Sequence, residues 1–398
     1  MTVRINKSAF NIREKLSELE RPIGLKGSEL MRAETAQEAG SLLGVGRRNF
    51  IMNPKFDIDQ RYGGSQINNT NGSKQLMDRW STYTNLSNHS SNYNIVADAP
   101  TDAGIYRSVR ITAAAASTYS TNQEYQFRQK FEGYDIKRLG WGTSGGKYST
   151  VSFWVKSSIP GKYGLTAFFF GASSADRRYV AEYHINSANT WEYKTITIPP
   201  LTESINQVNY EANVSGMLMW SLGAHSNYQG TPGKWYSTYT VDPTGSVPFF
   251  ATNGATFYLT GVQWELGKNA TEFEHRSYGE ELALCQRYYF KIKSEDADNA
   301  WYGSGFNYAS TTAAGIVNFP VEMRIRPSTL EQSGTASDYV VWHGSNTSTN
   351  CSSVPTYAGA TRTNCRVLFT VPSGLTIGQG ILLRAANTNS YLAWSTEL

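Results

Sequence analysis

Cysteine is scarce in this sequence, with three thiols in 398 residues: Cys285, Cys351 and Cys365. Thiols this few and scattered exclude a disulfide framework and a structural zinc site. Cys351 and Cys365 can still bridge one loop in an oxidising medium, whereas a cytoplasm keeps thiols reduced. Cys285 reads as a small apolar helix residue. Histidine is nearly as rare, and His89, His184, His225, His275 and His343 stand apart, none with a partner at metal-ligand spacing. Charged residues are only 17% of the chain, the net charge is +4, and Lys and Arg form no block. Nothing therefore calls for nucleic acid. No apolar run reaches the eighteen or so residues of a membrane span, and MTVRINKSAFNIREKL lacks a signal peptide's apolar core. The expectation is a chain made in a cytoplasm and kept there, or assembled there into something larger.

What the chain has instead is aromatic rings and β-pattern. Phe, Trp and Tyr make up 13% of it, spread through most of its length. TVSFWVKSS alternates Val151, Phe153 and Val155 against Ser152, Trp154 and Lys156. YGLTAFFFG, RYVAEYHI, WEYKTITIPP and GATFYLTGVQWELG continue in this manner between turn-forming clusters. Short strands at this spacing predict an antiparallel β-sandwich or jelly roll over residues 47–278. GIVNFPVEMRI, ASDYVVWHG, NCRVLFTV and GILLRAAN predict a second, smaller β-domain over 291–398. Between them, residues 279–290 read as a connecting helix, with Leu282, Cys285 and Tyr289 on one face and Leu284 beside them. The first 46 residues differ in kind. They suggest two short helices, one from Ser8 to Pro22 carrying Ile12, Leu16 and Leu19, the other opening at Ser28. Too small to fold alone, this segment must bury its apolar stripe against copies of itself or on a partner. The fold class is mainly β.

Catalytic, metal and cofactor signatures are missing. Gly140, Gly142 and Gly145 spell GxGxxG, but a strand rather than a helix follows, so the stretch reads as a glycine-rich loop carrying Trp141. SEDADN offers Asp296 and Asp298 as calcium ligands in an incomplete pattern, or simply a solvated loop. No nucleophile elbow or paired-carboxylate signature selects a catalytic residue. The chain is expected to be no enzyme and to need no cofactor. Rings in polar loops do suggest sugar binding, because a ring stacks on a sugar face while Asn, Ser and Gly supply hydrogen bonds. Three stretches qualify: Trp141 in LGWGTSGG; Tyr228, Trp235 and Tyr236 in HSNYQGTPGKWYSTYT; and Trp301 and Tyr302 in NAWYGSGFNY. The alternative for each ring is that it covers the end of a sandwich core.

Several of these pieces resemble tail fibres and fibre-like virion proteins of marine and cyanobacterial tailed phages. INKSAFNIREKLSELERPIGLKGSELMRAETAQEA is similar to their attachment segment. RRNFIMNPKFDIDQR resembles the strand that opens their lectin-like jelly roll, with Asn53-Pro54-Lys55-Phe56 where the family usually has N-G-F. TVSFWVKSS, YHINSANTWEYKTITIP and GATFYLTGVQWELGKNATEFEHRSYGEELALCQRYY resemble the later strands and exit helix. The resemblance covers most of residues 1 to 290. It implies a carbohydrate-binding-module-like jelly roll and a homotrimeric virion protein, assembled in the host cytoplasm. The N-terminus would dock on tail adaptor or nozzle proteins, and the C-terminal tip would face a host-surface glycan. The trimer contacts expected under it are Leu16, Leu19, Leu282, Leu284, Cys285 and Tyr289. The alternatives are a head or collar fibre or adaptor without a receptor role, and a tailspike depolymerase, against which stands the absence of an internal repeat.

Overall fold

Tryptophan packing organises the larger unit. Trp220 is fully buried, its ring centroid 5.6 Å from Trp80 and 5.5 Å from Phe153. Trp264 sits 5.0 Å from Phe131 and 5.2 Å from Phe50. These rings fill the space between two sheets, as the sequence pattern requires. The computed structural model describes residues 47–205, 211–295, 300–344 and 347–398. The predicted N-terminal helices, with Leu16 and Leu19, lie outside them, as do Asp296 and Asp298.

One sheet of the larger unit has six strands, in the order Ile67–Asn69, Ser91–Val96, Ser108–Ala113, Thr256–Leu266, Ser149–Ser157, Glu192–Ile198. The other has seven: Lys234–Tyr236, Arg177–Ile185, Gly161–Phe169, Val214–Ala224, Glu124–Glu132, Ser81–Thr84, Gly72–Gln75. Pairing within both is antiparallel, and chain neighbours are often not sheet neighbours, as expected for a jelly-roll-like sandwich. In Ser149–Ser157, Val151, Phe153 and Val155 are fully buried as read from the sequence, while on the opposite face Ser152 and Lys156 are buried as well and only Trp154 is partly exposed.

The smaller unit is a second sandwich. Its seven-stranded sheet runs Thr347–Asn350, Tyr339–His343, Gly380–Ala385, Trp301–Ala309, Thr312–Asn318, Asn364–Thr370, Thr356–Ala360. A three-stranded sheet, Tyr289–Lys293, Tyr391–Ser395 and Glu331–Gln332, covers one side. Trp394 stacks on Phe290 in the core between them. Cys351 and Cys365 are buried and unbonded, and burial pushes their thiols up to about 12 and about 11.

The connecting helix spans Tyr278–Gln286, shorter than the 279–290 read from the sequence. Ser277 caps it, receiving the Glu280 N–H while its own N–H bonds the Glu280 carboxylate at 3.0 Å, a reciprocal capping box. Three residues on, Tyr289 already belongs to a strand paired with Tyr391–Ser395. Tyr289 and Cys285 are both buried within the chain. The Tyr289 hydroxyl donates to Glu331 at 3.1 Å, and the Arg61 guanidinium lies 3.8 Å from its ring. These two expected trimer contacts are therefore intramolecular. Leu282 and Leu284 are half-buried.

Charge rather than oil joins the two sandwiches. Glu132, 1% exposed, accepts two bonds of 2.8 Å from Arg287 and one of 2.5 Å from the Tyr288 hydroxyl. Arg79 pairs with Glu397 at 2.5 Å, donates to the Lys130 carbonyl at 2.6 Å, and lies 3.4 Å from the Tyr288 ring. Arg324 reaches back to the Ala212 carbonyl at 2.6 Å. With Glu132, Arg79 and Arg324 all bonded across the joint, the two sandwiches are expected to hold one fixed arrangement.

Two fully buried carboxyls set a pH dependence. Asp78, which accepts the Gln60 N–H at 2.8 Å, and Asp242, which accepts from the Ser246 hydroxyl, are both pushed by burial to about 7. Unfolded aspartate titrates near 3.9. A folded value above the unfolded one means that folding takes up protons. These groups therefore cost stability progressively between about pH 4 and 7. Glu274 behaves oppositely: burial raises it, but the N–H groups of Asn49 and Arg48 and the Arg276 guanidinium outweigh that and hold it low. Its contribution is lost as the pH falls below about 4.5. The thermal midpoint is expected to rise from pH 8 to about 5.5 and fall below about 4.5, with Asp242→Asn flattening the rise. Melting curves across that range check this, and a midpoint that falls from pH 8 to 5.5 contradicts it.

Candidate functional site

Strand Glu124–Glu132 places aromatic Tyr125, Phe127 and Phe131 in the core and turns Glu124, Gln126 and Arg128 to the other face of the seven-stranded sheet. That face carries a continuous hydrogen-bonded strip. The Tyr239 hydroxyl donates to Glu124 at 2.6 Å, and the Gln126 amide donates to Glu124 at 2.9 Å. Arg128 donates to the Gln126 oxygen at 2.6 Å and to the Ser73 hydroxyl at 3.0 Å. Rings flank the strip. Tyr83 stands opposite Gln126 in register, with the Arg128 guanidinium 5.3 Å from its centroid. Tyr228 packs edge-on to Tyr239 at 4.9 Å, and Arg178 lies 5.0 Å from both Phe168 and Tyr239.

The segment 225–247 folds across part of this face. Val241 packs on Phe168, Met217 and Met219, and its carbonyl accepts the Thr166 hydroxyl at 2.9 Å. Gly164 lies beneath it: a Cβ there would meet Pro243 at 2.7 Å, so only glycine lets the segment settle so close. Tyr239 is left 39% exposed at the edge of the crossing. Burial pushes the Glu124 carboxyl up and lowers Arg128 and Arg178. Glu124 and Gln126 are themselves 2% and 1% exposed, so they act from beneath, and what the strip presents outward is the partly exposed Arg128 guanidinium beside the rings of Tyr83, Tyr228 and Tyr239. Fixed planar groups beside rings suit a ligand with hydroxyls on its edges and apolar C–H faces. Among the described residues no group of three or more His, Cys, Asp or Glu is placed to hold a metal.

Of the rings expected from the sequence, Tyr228 lies at this face. Tyr236 is beside it, its hydroxyl tied to the Thr231 carbonyl at 2.8 Å. Trp235 points the other way. It packs 5.5 Å from Tyr179 and 5.0 Å from Trp141, and donates to the Pro199 carbonyl. Trp141 is 3% exposed, with its indole N–H on the Lys147 carbonyl at 3.0 Å. The glycine-rich loop closes the end of the core: Gly142 has φ +79°, and a Cβ on it would stand 2.6 Å from the Ile205 carbonyl. Tyr302 is likewise a core residue, bonded to the Ser390 hydroxyl at 2.6 Å. Trp141 and Tyr302 are thus unavailable to a ligand. Trp301 is 49% exposed, on the outer face of the C-terminal sheet, 5.6 Å from Trp342. The sequence reading passed over Glu124, Gln126, Arg128, Tyr83, Arg178 and Tyr239. A signal was present, since EYQFRQKF alternates rings with Glu, Gln, Arg and Lys at period two.

No family model matches the chain, and no curated protein matches its sequence. Solved structures give distant likenesses. One is the enzymatically active domain of bacteriophage CBA120 tailspike protein 4, at 12% identity and TM-score 0.31; the match covers 55% of this chain and 21% of that one. Another is the family 11 carbohydrate-binding module from Clostridium thermocellum in complex with a β-1,3-1,4-mixed-linked tetrasaccharide, at 12% identity and TM-score 0.26, covering 52% of this chain and 100% of the module. A third is TmCBM61 in complex with β-1,4-galactotriose, at 12% and 0.27, covering 56% and 100%. The chain matches about a fifth of the length of the tailspike and the whole of both modules. No residue role is taken from proteins this distant.

Proposed function

We propose that the chain is a non-enzymatic fibre-type virion protein that recognises a surface glycan through the open face of its larger sandwich. The observation that carries this reading is the strip from Ser73 through Arg128, Gln126 and Glu124 to Tyr239, with Tyr83 and Tyr228 beside it. The N-terminal sequence supports the virion part of the reading, since residues 1–46 resemble a tail-attachment segment. In this account that segment docks on the tail, and the sandwiches are presented outward. Titrating the purified chain with bacterial surface polysaccharide tests recognition. Assaying the same mixture for new reducing ends tests the absence of catalysis, and their release would restore the depolymerase reading.

Self-association into a trimer needs a surface other than the buried faces of Cys285 and Tyr289. The outer face of the C-terminal sheet supplies one: Trp301, Phe306, Ile316 and Leu382 are each 41–49% exposed, on three neighbouring strands. Large apolar side chains clustered on one exposed face mark an interaction surface. Two guanidiniums on this face lie over rings, Arg384 over Trp301 and Trp342 and Arg366 over Tyr308. Leu382→Asp is expected to convert the trimer to monomer in sedimentation, because it would bury an unpaired charge. A trimer that survives this substitution contradicts the assignment.

A further inference from the structure

A large concavity lies away from the strip, in the angle between the two sandwiches. It encloses about 900 Å³, within the roughly 300–1,000 Å³ range of ligand pockets. Its walls are the loop at 57–64, the end of strand Ser91–Val96, residues 106 and 107, one face of the connecting helix, and the strand Tyr289–Lys293. Two rings open onto it, Tyr106 at 67% exposure and Tyr278 at 64%. They are the two most exposed tyrosines among the described residues. Leu282 also lines the cleft, and Gln286 one turn along adds an amide.

The charges around it balance. Asp57, Asp59 and Glu295 face Arg107, Lys291 and Lys293. Asp57 is already paired with Lys55 at 3.0 Å, and Asp59 accepts the N–H groups of Tyr62 and Gly64. No strong field of either sign is left to select an ion. The walls are also fixed relative to each other. Gln60 donates to the Tyr289 carbonyl at 2.8 Å, and Lys291 donates to the Arg61 carbonyl at 3.0 Å, so the loop and the strand cannot part without losing these bonds. A preformed, charge-balanced cleft with two exposed rings and an amide matches an uncharged polyhydroxylated ligand.

We infer that this cleft is a second saccharide site, taking a neutral oligosaccharide of a few units. It stands independently of the strip on the sheet. The test titrates the full-length chain with neutral hexasaccharides of glucose, galactose and mannose, using the wild type, Arg128→Ala and the double variant Tyr106→Ala/Tyr278→Ala. Both tyrosines are exposed, so the double variant is expected to fold, and an unchanged thermal midpoint verifies that it has. The expected result is at least one hexasaccharide that Arg128→Ala still binds and that the double variant binds at least tenfold more weakly. Tyr106→Phe/Tyr278→Phe, which keeps both rings, should retain most of that affinity. The proposal is overturned if no hexasaccharide binds Arg128→Ala, or if binding survives the loss of both rings. Failure of the strip alone reads differently: Arg128→Ala then binds as the wild type does.

Discussion

Glu132→Ala is expected to lower the stability of the chain by about 3–5 kcal/mol, the cost of removing one partner from a buried, hydrogen-bonded charge pair. The carboxylate is 1% exposed and receives both forks of Arg287 and the Tyr288 hydroxyl. Alanine leaves that buried hydroxyl only Asp135, 3.5 Å away, as acceptor and the guanidinium without its nearest counter-charge. The damage lands where the two sandwiches meet, so the variant should also lose cooperativity. Wild type is expected to unfold in guanidinium as one transition and Glu132→Ala as two, with the C-terminal sandwich separating first. Glu132→Gln keeps the shape but not the charge and should fall between them. A loss below about 1 kcal/mol with a single transition would show that the joint is held by something else.

Tyr239→Ala and Arg128→Ala are each expected to weaken glycan binding by more than about thirtyfold, the effect of losing a residue worth 2 kcal/mol or more at an interface. The reason is position within the strip. Arg128 holds Gln126 and Ser73 together, and Tyr239 both presents a ring and orients Glu124. Tyr239→Phe should separate these roles. The ring remains, one neutral-to-charged hydrogen bond goes, and the loss should stay near tenfold, corresponding to about 1.5 kcal/mol. Tyr239 is 39% exposed, so its truncation should cost far less stability than affinity. Calorimetric titration beside thermal melting distinguishes a binding residue from a structural one.

Much of the fold was legible because it follows local rules. Period-two alternation located Ser149–Ser157 and Thr256–Leu266, whereas the Ser277–Glu280 capping box, also a local signal, went unread and the helix start was placed one residue late. The helix end was not legible. Tyr289 continues the spacing of Leu282 and Cys285, but its strand pairs with Tyr391–Ser395, about a hundred residues away, and no local pattern carries that information. Ring direction failed for a similar reason. LGWGTSGG and NAWYGSGFNY have the composition of binding loops, yet Trp141 packs inward on Trp235 and Trp264, and Tyr302 packs on Tyr339 and Phe369. The strip was missed because its members come from four separate segments. Only sheet pairing brings Ser73, Tyr83, Gln126 and Arg128 side by side, and only the crossing of 225–247 adds Tyr239.

Adsorption blocking tests the central claim most directly. Host cells are incubated with the purified chain, then challenged with phage, and the attached particles are counted. The account predicts dose-dependent blocking by the wild type and its loss in folded Arg128→Ala and Tyr239→Ala. Equal blocking by these variants, or none by the wild type on a host the phage infects, would contradict recognition through the sheet face.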